Sequence, residues 1–245
     1  MATINSKGQL TGTVGPVSYR IVRGKTIVQS KPGRGKVNQS LATKKRASQF
    51  GMAQQIAKKI RTALFPLLQN KTDATCYYRF GSKVYQAMLG HSGVPQSTRS
   101  LATGDLALLD RFQFNENSPF EHFCSLPITV AENETGALVL SVPDFRVAEA
   151  ILPNPLATAA KLCLLVTGFD TEQYLESFSE VVTLEIPFQA STIAAQEWVV
   201  PNLPQGHLMV VTAALFYLKQ DRIMGAVVLN DQELHPCEIV LAYKS

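Results

Sequence analysis

The first 72 residues contain no Asp or Glu and fourteen Lys and Arg, from Lys7 to Lys71, so nothing folded from this stretch can neutralise its own charge. The remaining 173 residues carry nineteen acids against nine bases, a reversal hidden by the overall formal charge of +4. A split on this scale calls for an anionic partner for the first part: nucleic acid, a membrane surface, or the acidic part of the same protein. At 245 residues and 46% hydrophobic composition the chain is long enough to bury a full core without a disulfide or structural metal.

Two β-patterned runs, over residues 17–22 and 25–30, flank Arg23-Gly24 and predict a hairpin, although Arg is a poor residue for the positive φ of a type I′ turn. In that register Val17, Tyr19, Ile21 and Val28 share one face, while Arg20, Lys25 and Gln29 fall mostly on the other. A lone two-stranded ribbon is marginal in water, so a greasy-faced hairpin of this kind is expected to dock on another sheet. After a basic loop containing Arg34 and Lys36, the spacing predicts a helix over residues 39–65, capped by Asn38 or Ser40 and stopped by Pro66. Its expected apolar stripe is Phe50, Ala53, Ala57, Ile60 and Leu64, with Lys44, Lys58 and Lys59 on the opposite face and no acid to pair with them. A second helix is expected over residues 77–89, with Tyr77, Phe80, Val84 and Met88 inward and Gly90 closing it.

Beyond residue 105 the pattern changes to strands and turns. Residues 208–218 are apolar on both faces and belong in the middle of a sheet, while residues 182–188 alternate as a half-buried strand does. Further strands are expected near residues 111–115, 125–130, 136–142, 161–169, 193–200, 225–229 and 238–243. The expected fold class is α+β: a basic arm over residues 1–36, a helical segment over 37–104, and an antiparallel, immunoglobulin-like β-sandwich over 105–245.

Gly8-x-x-x-Gly12-x-Val14-Gly15, the strand through Tyr19, Arg23-Gly24-Lys25 and Lys31-Pro32 resemble the opening of an uncharacterised family typical of Bacteroidota. The resemblance continues through Lys44, Lys45, Arg46 and Phe50, and more loosely to the region of Tyr85. That family is a domain of unknown function without a named activity, so the resemblance implies no catalytic residue, cofactor or ligand.

Several combinations suggest chemistry and fail on inspection. Gly24-Lys25-Thr26 ends like a P-loop, yet Tyr19 stands where that motif needs Gly and a strand is expected where it needs a helix. His122 with Cys124 and His235 with Cys237 are the one candidate metal set, because residues two apart on a strand point the same way. Their spacing is unlike that of zinc fingers, and four scattered cysteines in apolar surroundings suit buried free thiols. Glu132, Glu134 and Asp144 read as solvating loop acids, and Trp198 as a core or edge anchor. No catalytic residue, enzyme activity or cofactor is expected.

The start of the chain has no apolar leader pattern and its longest greasy run is too short to span a bilayer, so a cytoplasmic protein without a membrane span is expected. Two functions compete. In the first, the chain is a structural subunit that assembles head-to-tail with other copies of itself, through its basic arm and strand addition. In the second, the basic segment binds nucleic acid, with Tyr19 stacking on a base. Both use the same contact residues: Tyr19, Arg20, Arg23, Lys25, Arg34, Lys36, Lys44, Lys45, Arg46, Lys58 and Lys59.

Overall fold

The computed structural model describes residues 2–31, 40–90 and 99–245. The chain divides into two compact units, Met1–Ser48 and Gln49–Ser245, so residues 49–104 belong to the same compact unit as the later strands.

The first unit holds an antiparallel meander in the order β1-β2-β3-β4: β1 (Ala2–Ile4), β2 (Leu10–Val14), β3 (Val17–Val22) and β4 (Lys25–Ser30). The sequence pattern pointed to the last two strands; β1 and β2 are too short and too rich in Thr and Gly to announce themselves. Val22 pairs with Lys25, leaving Arg23 and Gly24 as a two-residue turn with φ of 50° and 76°. Arg23 therefore does adopt the left-handed conformation that a type I′ turn requires. Val14 pairs with Val17 across Gly15-Pro16, where Gly15 supplies the positive φ of 56°.

Helix α1 (Leu41–Ala63) is capped by Ser40, whose Oγ accepts the N–H of Thr43 at 3.1 Å. Its buried residues in the second unit are Ala53, Ile56, Ala57, Ile60 and Ala63, with Leu64 buried just beyond; Phe50, expected inside, is 43% exposed and instead meets the Tyr85 ring edge-on at 5.5 Å. Pro66 lies in the first turn of the short helix α2 (Phe65–Leu68), and α3 (Cys76–Leu89) follows. Helix α3 buries Phe80, Val84 and Met88 as expected, together with Cys76, Gly81 and Ala87, whereas Tyr77 is half exposed. Both corrections share one cause: the stripe drifts around the helix, so the aromatic at its end lies on the rim of the buried face.

The strands of the second unit are antiparallel: β5 (Thr129–Glu132), β6 (Leu138–Val142), β7 (Phe145–Arg146), β8 (Ala159–Phe169), β9 (Glu176–Pro187), β10 (Thr192–Ile193), β11 (Gln196–Val200), β12 (Leu208–Asp221), β13 (Gly225–Val228) and β14 (Cys237–Lys244). A large sheet runs β13-β12-β8-β9, with β14 sharing an edge of β12 with β13. A smaller sheet runs β11-β6-β5, and β7 pairs with β10. The segment 111–115, expected as a strand, instead makes a single bridge, Gln113 to Glu238, with flanking backbone bonds to β14.

Alternation along β8 and β12 builds two cores. Leu162, Leu164 and Val166, with Met209, Val211, Ala213 and Leu215, face Leu138, Leu140 and Val142 of the smaller sheet. Cys163, Leu165 and Phe169, with Leu208, Val210, Ala214 and Phe216, face the helices. Strand β12 is thus buried on both sides, as its unbroken apolar run predicts. The fold is α+β, with a helical layer, a large sheet and a small sheet, whereas an immunoglobulin-like sandwich has two layers. No helix among the described residues is long and apolar enough to cross a membrane.

Candidate functional site

The pairing register of the first unit fixes which side chains share a face. Ile4 pairs with Leu10, Gly12 with Tyr19, Val14 with Val17, and Tyr19 with Val28, so Ile4, Leu10, Val14, Val17, Tyr19, Ile21 and Val28 lie together on one side. The other side carries Thr3, Thr11, Thr13, Ser18, Arg20, Lys25 and Gln29, with Val22 and Ile27 among them. Tyr19 and Arg20 are therefore on opposite faces, and Arg23 sits in the turn. The apolar side is open: Ile4 is 69% exposed, Val14 56% and Val28 58%, and no described residue before Gln49 is buried. A sheet usually gains its stability by covering such a face.

Among the described residues, the candidate contact bases form no ion pair. Lys44, Lys45 and Arg46 occupy the exposed first turns of α1. Lys58 is exposed, and Lys59 donates from Nζ to the Gln173 carbonyl. Arg34 and Lys36 lie outside the described residues. Among the described residues the ion pairs join Arg79 to Asp73 and Glu116, Arg111 to Glu238, Arg146 to Glu149, and Lys161 to Glu185; no base that precedes Asp73 takes part.

The second unit offers an edge of opposite charge. Strand β9 ends the large sheet, is 12 residues long, and carries Glu176, Glu180 and Glu185 with no Lys or Arg. Its ladder with β8 is its sole backbone pairing among the described residues, so its outer N–H and C=O groups are free. The outer side of β14, by contrast, is closed by Arg111, Phe112 and Phe114, with bonds of 2.8–3.1 Å to Ile239 and Cys237. The other open edges are shorter: β5 has 4 residues, β11 has 5 and β13 has 4.

The His-x-Cys metal set does not assemble. Cys124 lies in the core between the two sheets and Cys237 in the core beneath the helices, on opposite faces of the large sheet. His122 stacks edge-on against Phe123 at 5.0 Å. His235 is fully buried and already committed: Nε2 donates to the Leu67 carbonyl at 2.8 Å, and Nδ1 accepts from Asn230 Nδ2 at 3.1 Å. Asn230 in turn pairs with the Tyr217 N–H and the Leu215 carbonyl, filling the gap along β12 between β13 and β14. Burial holds the His235 imidazole down at about 4, a neutral ring that serves the fold. Among the described residues no group of three or more His, Cys, Asp or Glu could hold a metal ion. The four thiols are free and buried, and burial pushes Cys76 and Cys163 up to about 11, Cys124 to about 12, and Cys237 well above the usual thiol range. Such thiols are poor nucleophiles at neutral pH.

One cleft escaped sequence reasoning. Lys58, Arg61 and Thr62 of α1, Phe65 and Leu68 of α2, Asn70 and Thr72 of the following loop, and Tyr77 of α3 line a hollow of about 420 Å³. The Arg61 guanidinium lies 4.5 Å from the Tyr77 ring centroid, its Nη1 is buried without an acceptor, and desolvation pulls its pKa down. Periodicity shows Arg61 beside the apolar stripe, but only the turn at Pro66 brings the loop and α3 around it.

Comparison with protein-family models, curated proteins and solved structures finds no match for this chain.

Proposed function

We propose that the protein is a structural subunit which assembles head-to-tail with other copies of itself, the basic N-terminal sheet of one copy adding to the acidic edge of the next. The observation that carries this reading is the four-stranded sheet with an open apolar face, in a unit of ten bases and no acid. A neighbour that pairs with the edge of this sheet has to offer free backbone groups and negative charge together, and strand β9 offers both. Strand addition supplies the backbone hydrogen bonds, while the charges set orientation and encounter rate. The contact is heterologous, joining one surface to a different one, so it closes into rings or runs on into filaments or tubes. In this reading the protein works in the cytoplasm, has no catalytic role and needs no cofactor.

Nucleic acid is the rival partner for the same bases. Against it, Tyr19 lies on the face opposite Arg20, so stacking and phosphate contact do not coincide on one side of the sheet. Negative-stain microscopy of the full chain across a concentration series tests the proposal: rings, filaments or tubes growing with concentration are expected, and single particles throughout overturn it. A mobility shift on DNA whose affinity falls roughly 10³–10⁵-fold between about 50 and 200 mM salt would instead select the rival.

A further inference from the structure

We propose that the cleft beside α1 binds a carboxylate carried on an apolar body. Arg61 is the anchor. None of its guanidinium donors has an acceptor among the described residues, and Nη1 is closed off from solvent as well. No ion pair among the described residues uses the Arg61 charge, so the cleft keeps a cation that a ligand can pair with. A planar fork laid against an aromatic ring is held in one orientation, which suits the two parallel bonds a carboxylate can accept. Lys58, one turn earlier, adds a second positive charge, and no acid lines the cleft to compete.

The walls decide what the carboxylate is attached to. Phe65, Leu68 and Tyr77 present apolar surface, and Phe65 is 52% exposed in the free protein. A volume of about 420 Å³ is in the range of small-molecule sites and accommodates a ring or a short alkyl chain beside the charged group. A bare inorganic anion would engage Arg61 and leave these walls wet. Thr62, Asn70 and Thr72 add polar side chains to the lining. This site lies wholly within the second unit and stands whether or not the protein assembles.

The test uses the full chain and three probes: phenylacetate, its uncharged isostere phenylacetamide, and inorganic phosphate, each titrated at neutral pH by ligand-observed NMR. Phenylacetate is expected to bind with Kd of about 1 mM or tighter, as its size allows. Phenylacetamide and phosphate should each bind about tenfold more weakly or worse, one lacking the charge and the other the apolar body. Arg61→Gln should cost phenylacetate about tenfold or more, and Arg61→Lys should recover part of that loss by keeping the charge without the fork. Equal binding of phenylacetamide, equal binding of phosphate, or no phenylacetate binding up to about 10 mM overturns the proposal. These comparisons on the unaltered protein decide the question even where Arg61→Gln disturbs folding.

Discussion

The sheet of Ala2–Ser30 and the large sheet built on β8 and β12 are both antiparallel, and they stand at opposite ends of what a sheet can bury. Along β8 every second residue from Leu162 to Val166 faces one core, and Cys163 and Leu165 face the other. Along the N-terminal sheet the same alternation produces an apolar face with no core beneath it: no described residue there is buried. Alternation sets register and sidedness in both places. Burial further depends on a second layer, which helices and a smaller sheet supply in the second unit and none of the described residues of the first unit supplies. Charge follows the same division, with acids and bases mixed in the second unit and bases alone in the first.

The sharpest contrast comes from truncating one side chain on each sheet or its cover. Phe80 is fully buried and packs against Phe112 and Phe114 with ring centroids at 4.9 and 5.4 Å. Phe80→Ala should cost about 3–5 kcal/mol in denaturant unfolding. Val28→Ala, on the open face, should stay within about 0.5 kcal/mol when measured on dilute protein. A cost for Val28→Ala comparable to that of Phe80→Ala would mean that the N-terminal sheet does have a core.

Next in size is a pH effect confined to the second unit. The folded His235 ring titrates near 4 and the unfolded one near 6.5, so the folded protein resists a proton that the unfolded chain accepts. Stability from this residue is complete above about 6.5 and falls as pH drops towards about 4, by on the order of 3 kcal/mol. Urea midpoints across this window should show the slope, and His235→Gln should flatten it; an unchanged slope would place the titration elsewhere.

The smallest effect has the opposite sign. Thr167 and Thr212 bring buried hydroxyls without partners into the helix-side face of the large sheet. Thr212→Val removes an unsatisfied group at nearly constant shape and should leave stability unchanged or raise it by up to about 1 kcal/mol. A clear loss in the thermal midpoint would show that the hydroxyl has a partner after all.

Much of the large sheet was legible in the sequence, because a strand buried on both faces is a continuous apolar run and β12 has one. The β3–β4 hairpin was legible from its two-residue turn, even with Arg at a position of positive φ. The helices were legible as elements, though Phe50 and Tyr77 sit on the rim because a stripe of aromatics says which face is greasy and not how wide the covered part is. The layer count was not legible: nothing in the spacing of α1 and α3 says which surface they cover. Nor did the pairing of His235 with Leu67 and Asn230 show, since its partners are 168 and 5 residues away in sequence. For the same reason the Arg61 cleft and the free edge of β9 appear only once the chain is folded, while the acid-free character of the N-terminal segment is plain from composition.

Amide hydrogen exchange on the full chain, measured dilute and again at high concentration, tests most directly the claim that the first unit finds its cover on another copy. The account predicts that protection rises with concentration in β3, β4 and β9 together, while β8 and β12 stay protected throughout. Exchange in β3 and β4 that is independent of concentration would contradict it.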